Sequence, residues 1–199
     1  MIHTILQDKK VVLASASPRR KSLFKMLGLK TLIIPADIHE PITDEAPRLQ
    51  AMKHARNKAL KVASKLDAES VVVGADTIVV LDGEILGKPE NAEQAAEFLR
   101  RLSGRTHKVY TGICVCWRKR CQTSYARSLV EFAPLSDDEI KEYLDTHEPF
   151  DKAGAYGIQG HGSQFIKRIQ GCYFNVMGFP IKTFYDLLND MFSANTLTK

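Results

Sequence analysis

The segment from Ser15 to Arg20 combines small, hydroxyl and basic residues in the order expected of an anion-binding helix start. Ser17 suits the N-cap and Pro18 suits the first helical position, where its missing N–H costs nothing. Arg19 and Arg20 then stand at the positive end of the helix dipole, which is unfavourable unless an anion is bound there. Backbone N–H groups, hydroxyls and two guanidiniums therefore predict a phosphate site. The alternative is a solvated helix start whose arginines pair with nearby acids.

Asp76 is an acidic residue placed between two apolar β-branched runs, 71–73 and 78–80. A carboxylate in such surroundings is costly to bury alone, so it is expected to be paired, metal-bound or catalytic. It could hold a divalent metal or activate a water for attack on phosphorus. The alternative is a turn at a strand end in which Asp76 caps backbone groups.

Three lysines and one glycine-rich loop complete the candidate site. Lys58, Lys88 and Lys152 are each typical of surface lysines, but together with two arginines they suit a triphosphate. The loop 151–160 contains three glycines, which let backbone approach a ligand closely. Its Gln159 offers a donor and an acceptor and can therefore read the edge of a base. The alternative for this loop is irregular surface structure.

Other common catalytic and metal patterns are absent from the sequence: it has no Walker A, G-x-S-x-G or HExxH motif. His54 is interpreted as a helix-surface residue and His107 as a strand-start residue. The four cysteines lack zinc-site spacing, so buried free thiols are favoured over a metal site or a disulfide.

The elements that must position these residues alternate between strand and helix. Apolar runs predict strands at 10–14, 31–34, 70–73, 77–81, 84–86, 108–117, 123–132 and 164–169. Helical periodicity predicts helices at 18–27, 48–66, 91–102, 136–146 and 180–191. Asp82-Gly83 is a hairpin signal, and Asn91 and Ser136 are expected N-caps. The predicted fold is α/β: a mixed, twisted sheet flanked by helices, with a cleft between two lobes.

The length, composition and charge of the chain limit the kinds of protein that it can be. The chain has 199 residues, 44% of them hydrophobic, and a net charge of +5. That length suits one large domain or two small lobes sharing a core, and the charge favours anionic partners. No segment has the apolar length of a membrane span or the apolar core of a signal peptide, so a cytoplasmic protein is expected.

Taken in order, these segments resemble the Maf family of nucleotide pyrophosphatases over about residues 11–185. The resemblance rests on ordered motifs at compatible spacing: 15–20, 37–40, 55–59, 74–77, 87–89, 102–112, 148–160 and 171–180. The late loop carries Asp-Lys-Ala-Gly-Ala-Tyr-Gly-Ile-Gln-Gly, which looks like the branch acting on dTTP and UTP. The other branch prefers 7-methyl-GTP and lacks this Gln.

The resemblance implies a single Maf/ITPase-like domain over 1–199 that hydrolyses dTTP and UTP to the monophosphate and pyrophosphate. It implies Asp76 as the proton acceptor and Arg19, Thr77 and Gln159 as the residues that set substrate choice. It implies further pocket positions at Ser15, Arg20, Glu40, Lys58, Lys88 and Lys152. It also implies a divalent cation, Mg or Mn, for which Glu40 and Asp76 are the candidate ligands, and it leaves a homodimer possible.

Two departures and two alternatives stay open. His39 stands where the family often has an acid, and residues 172–174 and Met177 also differ, but none of these positions carries assigned chemistry. One alternative function is a pyrophosphatase for 7-methyl-GTP or another modified nucleotide. The other is a non-catalytic nucleotide- or DNA-binding regulator of septum formation. Nucleic acid is the less expected partner because no basic stripe with interleaved aromatic residues is present.

Overall fold

The computed structural model describes residues 1–118 and 120–193. Its helices are α1 Ile2–Leu6, α2 Pro18–Met26, α3 Pro47–Ala63, α4 Ala92–Leu102, α5 Asp137–Asp145, α6 Tyr173–Met177 and α7 Ile181–Ser193. Its strands are β1 Val11–Leu13, β2 Thr31–Ile33, β3 Val71–Leu81, β4 Glu84–Leu86, β5 Thr106–Trp117, β6 Arg120–Phe132 and β7 Ile166–Gln170. Short 3₁₀ helices lie at Glu148–Asp151, Ala153–Ala155 and His161–Phe165. None of the helices in these two ranges has the length and apolar character needed to cross a membrane.

The strands form one seven-stranded sheet in the order β2-β1-β3-β5-β6-β7, with β4 paired to β3. β1 is parallel to both β2 and β3, with Val12 opposite Leu32 and Val72. β4 pairs antiparallel with β3, and β7 pairs antiparallel with β6. The predicted mixed sheet with flanking helices is therefore confirmed.

The chain divides into two compact units. Of the described residues, the first unit contains 1–76, 111–118, 120–126 and 178–193, and the second contains 77–110 and 127–177. The strands β3, β5 and β6 each contribute residues to both units.

In the first unit, α3 packs closely on the sheet because both surfaces are made of small residues. Ala51, Ala55 and Ala59 recur every four residues and are fully buried on one face of α3. A Cβ built on Gly74 of β3 would lie 2.2 Å from the Ala55 carbonyl oxygen. A Cβ built on Gly112 of β5 would lie 2.3 Å from the Ala51 carbonyl oxygen. These two glycines let the helix backbone lie directly on the strands.

The interruption predicted at 74–76 is wrong, because β3 is one continuous strand of 11 residues. The Gly-Ala-Asp sequence resembles a turn when taken alone. Here the glycine instead accommodates the helix backbone of α3, and Asp76 stays in the extended conformation of the strand. The separate helices α1 and α6, five residues each, were not predicted either.

The cysteine prediction is also wrong in part. Cys116 and Cys121 form a disulfide, whereas Cys114 and Cys172 are free. The two bonded residues lie on β5 and β6 on either side of the turn between these strands, with Cα atoms 4.1 Å apart. The pairing depends on the strand register across that turn, which the spacing alone does not reveal.

The second unit has an apolar core that encloses a histidine. His107 is 1% exposed, its Nε2 lies 2.7 Å from the hydroxyl oxygen of Tyr156, and its ring packs edge-on against Phe132. Burial lowers the pKa of His107 to about 4. The imidazole is therefore neutral in the folded protein at a pH where it would be charged in the unfolded chain.

His107 is expected to make the fold acid-sensitive. Between its ordinary pKa of about 6.5 and its folded value of about 4, the unfolded state binds the extra proton, so stability falls as the pH is lowered through this range. The loss should amount to about 3 kcal/mol. Urea unfolding at a series of pH values measures this loss. The free energy of unfolding should depend on pH much less in His107→Gln than in the parent protein. The control, His161→Gln, alters an exposed histidine and should keep the parental slope; equal slopes in all three proteins would contradict the assignment.

Candidate functional site

The start of α2 presents the hydroxyl and basic groups as predicted, but Arg20 is held in place by the protein itself. Ser17 occupies the N-cap and Pro18 the first turn, although the Ser17 side chain makes no capping bond. Instead, Ser15 Oγ accepts hydrogen bonds from the Ser17 N–H at 3.2 Å and from Arg20 Nη1 at 3.2 Å. Arg20 Nε donates to the Gly178 carbonyl at 2.8 Å, which leaves the side chain buried, while Arg19 is half-buried.

Asp76 is the centre of a buried charged cluster in the first unit. It is 9% exposed, and its two carboxylate oxygens have different partners. Oδ1 accepts a hydrogen bond from Lys58 Nζ at 2.9 Å, and Oδ2 lies 3.1 Å from His54 Nδ1. Asp76 is thus paired, as a buried carboxylate must be.

The helix α3 supplies both partners because residues four apart lie on one face of a helix. His54 and Lys58 have this spacing, beside the alanines that bring the helix onto β3. Lys58 Nζ also donates to the Ala75 carbonyl at 3.3 Å. The close contact of α3 with β3 is therefore what brings these side chains to Asp76.

Glu40 joins the cluster from the segment before α3. Its Oε1 forms an ion pair with Lys58 Nζ, so the ammonium group bridges the two carboxylates. Ligand atoms of Glu40, His54 and Asp76 all lie within 4.8 Å of one another. Two carboxylates and an imidazole at this separation form a donor set suited to a divalent cation.

The cluster sets the charge state of its members. Burial by itself would raise the pKa of Asp76, but the His54 hydrogen bond and the charges of Lys58 and Arg20 outweigh it and hold that pKa well below its ordinary value. The hydrogen bond to Asp76 raises the pKa of His54, against an opposing effect of burial. Asp76 is therefore an anion throughout the neutral range.

His54 is the residue whose environment was predicted wrongly. It is 7% exposed and contacts Asp76, so it is not a helix-surface residue. Its spacing of four residues from Lys58, on the face that carries the alanines, is the signal that could have identified it.

The second unit holds the other predicted site residues. Thr77 follows Asp76 in β3 and is half-buried, whereas Lys88 and Gln159 are exposed. Lys152 is buried, and its Nζ donates to the Glu148 carbonyl at 2.6 Å and to Asp151 Oδ1 at 2.5 Å. The Gly154 N–H donates to the Gly87 carbonyl at 3.0 Å, which joins the late loop to the segment that carries Lys88.

Glu148 organises the loop that carries Gln159. Its Oε2 accepts from the His161 N–H at 2.9 Å, and its Oε1 accepts from the Tyr143 hydroxyl at 3.0 Å and the Gly162 N–H at 3.4 Å. A Cβ on Gly160 would lie 2.5 Å from Glu148 Oε2, so the glycine leaves room for the carboxylate. This role of Glu148 was not predicted from the sequence.

Replacing Glu148 by Gln is expected to loosen this loop, because one acceptor oxygen becomes an NH₂ group that cannot accept a hydrogen bond. Amide hydrogen exchange at His161 and Gly162 should accelerate roughly tenfold, in line with the loss of a hydrogen bond to a charged group. The matched control is Glu142→Gln, which changes an exposed side chain on α5. Unchanged exchange at both amides in the Glu148 variant would show that the carboxylate does not hold the loop.

Comparison with known proteins places this arrangement in a family. The family model described as "Maf-like protein" matches residues 10–191. The chain belongs to this family. Within it, the chain is 45% identical to a dTTP/UTP pyrophosphatase of Carboxydothermus hydrogenoformans over 183 residues, covering 91% of this chain and 98% of that protein. It is 47% identical to a dTTP/UTP pyrophosphatase of Clostridioides difficile over 189 residues, covering 93% and 96%.

Among solved structures, the Staphylococcus aureus Ham1 protein is similar in fold. It superimposes with a TM-score of 0.50 and 15% sequence identity, covering 94% of this chain and all of that one. At this identity the likeness concerns the fold of the Maf-like chain alone.

Proposed function

We propose that this Maf-like chain hydrolyses dTTP and UTP to the nucleoside monophosphate and pyrophosphate. The observation that carries the proposal is the buried, ionised Asp76, held by Lys58 and His54 close to the charge of Arg20. Support comes also from relatives of the same family, 43–47% identical over most of the chain, that are named for this reaction.

The first unit provides the groups that neutralise phosphate charge. Arg20 and Ser15 lie at the start of α2 with Arg19 beside them, and Lys58 adds an ammonium group. Hydrolysis of a phosphoanhydride depends mainly on positioning and on stabilising negative charge as the leaving group departs. The three cations supply that stabilisation for the departing pyrophosphate, and the Ser15 hydroxyl can add a hydrogen bond.

Asp76 accepts the proton of the water that attacks the α-phosphorus. In the nucleotide-free protein His54, Lys58 and Arg20 all favour the anion and hold the pKa of this carboxyl below its ordinary value. A bound triphosphate competes for the same lysine and arginine. Each cation drawn towards phosphate weakens its hold on Asp76 and brings the carboxylate pKa closer to that of a useful base.

A divalent cation fits the donor set of the cluster. Glu40 Oε1 is buried and accepts no hydrogen bond in the part of the chain that the structure describes, although it pairs with the Lys58 ammonium. Glu40 and Asp76 would hold a Mg or Mn ion, with His54 as the third candidate ligand. When bound, such a cation would withdraw charge from phosphate oxygens and lower the pKa of a bound water.

Base recognition is assigned to the second unit. Gln159 is exposed on the loop ordered by Glu148, and its amide can both donate to and accept from a pyrimidine edge. Thr77 provides a hydroxyl next to Asp76 in the chain. Lys88 is an exposed cation available to phosphate, whereas Lys152 is engaged by Glu148 and Asp151 and so shapes the loop.

Replacing Gln159 by Leu should alter substrate preference more than catalysis of the common step. We expect kcat/KM for dTTP to fall roughly 10- to 100-fold, because hydrogen bonds to the base are lost, with a smaller fall for GTP. Steady-state pyrophosphate release with both nucleotides measures the ratio. Gln164→Leu, at an exposed glutamine of the following 3₁₀ helix, serves as the matched control. A uniform loss on both substrates would count against base reading by Gln159.

The whole proposal is tested by pyrophosphate release from dTTP, UTP, CTP, GTP, 7-methyl-GTP and ITP, with Mg, with Mn and with EDTA. Metal-dependent release that is strongest for dTTP and UTP is the expected result. A preference for 7-methyl-GTP would reassign the chain to the other substrate class. Release from none of them, combined with salt-sensitive DNA binding, would favour a non-catalytic regulator instead.

A further inference from the structure

Three cysteine sulfurs meet in the first unit, on strands that the candidate functional site does not use. Cys114 and Cys116 alternate along β5, so both side chains point to one face of the strand, and Cys121 faces them from β6. All three Sγ atoms lie within 4.8 Å of one another. We refer to Cys114, Cys116 and Cys121 as the thiol cluster.

We propose that the thiol cluster, in its reduced form, is a tri-thiolate binding site for a soft divalent metal ion, with Zn²⁺ as the natural occupant. Sulfur is the donor that selects Zn²⁺ over hard cations such as Mg²⁺. With three protein ligands, a tetrahedral ion keeps its fourth position for a water or another ligand.

The spacing of the sulfurs fits such an ion. Cys114 Sγ and Cys116 Sγ lie 3.8 Å apart. A tetrahedral ion with metal–sulfur bonds of about 2.3 Å requires its thiolates to be about 3.8 Å from one another. One edge of the tetrahedron is therefore already formed by the pleat of β5.

The disulfide determines when the site exists. Two of the three sulfur ligands, those of Cys116 and Cys121, are joined in a disulfide. The metal ion can therefore bind only after two-electron reduction of this bond. With a phosphine as reductant, the S–S bond breaks and each sulfur gains a proton. The phosphine becomes its oxide, with oxygen supplied by water. One Zn²⁺ then displaces the protons of the three thiols and forms three Zn–S bonds.

Arg56 opposes the charge of the occupied site. Three thiolates around Zn²⁺ leave a net charge of −1, and the Arg56 guanidinium acts on Cys114 with the opposite sign.

The test is a titration of the full chain with Co²⁺, before and after phosphine reduction and anaerobic removal of the phosphine. Thiolate-to-cobalt charge-transfer absorption reports sulfur ligation and is not produced by carboxylate or imidazole ligands. We expect the band to appear in the reduced chain only, with one equivalent of metal, and to disappear when Zn²⁺ is added.

Variants separate the thiol cluster from other metal ligands. Cys121→Ser, at a half-buried position, should weaken metal binding by roughly tenfold or more, whereas Cys172→Ser, in the second unit, should leave it unchanged. Asp76→Asn should keep the charge-transfer band. That result would show that the band does not come from a metal ion held by Glu40, His54 and Asp76. No band in the reduced chain would overturn the proposal. Equal effects of Cys121→Ser and Cys172→Ser would overturn it too.

Discussion

Replacing Asp76 by Asn is expected to lower pyrophosphate release from dTTP about 10²- to 10⁴-fold while nucleotide binding survives. Asn has the shape of Asp but cannot accept the proton of the attacking water. It also removes the anion to which Lys58 and His54 are bonded, so the Lys58 ammonium group becomes more available to phosphate. The dissociation constant for a non-hydrolysable dTTP analogue should therefore stay the same or decrease, as measured by calorimetry.

The control for this variant is Asp138→Asn, which makes the same chemical change at an exposed position in the first turn of α5. It should retain parental turnover. Thermal unfolding of both variants separates loss of chemistry from loss of structure, because removing one member of a buried ion cluster also destabilises the fold. Parental turnover in Asp76→Asn would remove Asp76 from the mechanism.

A single methyl group added at Gly74 should severely damage the packing of α3 on the sheet. The Cβ of Gly74→Ala would lie 2.2 Å from the Ala55 carbonyl oxygen and 2.8 Å from the Ala59 backbone nitrogen. Both atoms belong to the backbone of α3, so no side-chain rotation relieves the clash and the helix must move away from β3. We expect a loss of about 3 kcal/mol in the free energy of unfolding. The melting temperature should fall by roughly 6–12 °C.

The same movement should lower turnover, because α3 carries His54 and Lys58 to Asp76. The matched control is Gly83→Ala in the turn between β3 and β4, where an added Cβ has nothing within 4 Å. Gly83 has a φ of +90°, so this control should cost about 1 kcal/mol through backbone strain alone and leave turnover intact. Equal losses in the two variants would show that the contact of α3 with β3 is not tight.

Features encoded by neighbouring residues were predictable from the sequence. Asn91 accepts a hydrogen bond from the Gln94 N–H at the start of α4, and Ser136 and Glu139 form the reciprocal capping box of α5. The hairpin at Asp82-Gly83 also forms as predicted. In each case the side chains that decide the structure lie within four residues of one another.

Features that depend on distant residues were not predictable in the same way. The continuity of β3 through Gly74 depends on α3, which begins 27 residues earlier. The disulfide depends on how β5 and β6 align, and the burial of His54 depends on which face of α3 meets the sheet. The sequence identified Asp76 and Arg20 as chemically unusual, whereas Lys58 alone looked like a surface lysine. The contact of Lys58 with Asp76 comes from the tertiary fold.

The bond between Arg20 and the Gly178 carbonyl has a consequence for biosynthesis. Its two partners are 158 residues apart, so the ribosome releases Arg20 long before the carbonyl that fixes it. A chain emerging from the N-terminus at roughly 5–20 residues per second must wait many seconds for that partner. During this interval Arg20 lacks the Gly178 carbonyl that its Nε contacts in the folded chain. The start of α2 therefore reaches its final side-chain geometry only after most of the chain has been synthesised.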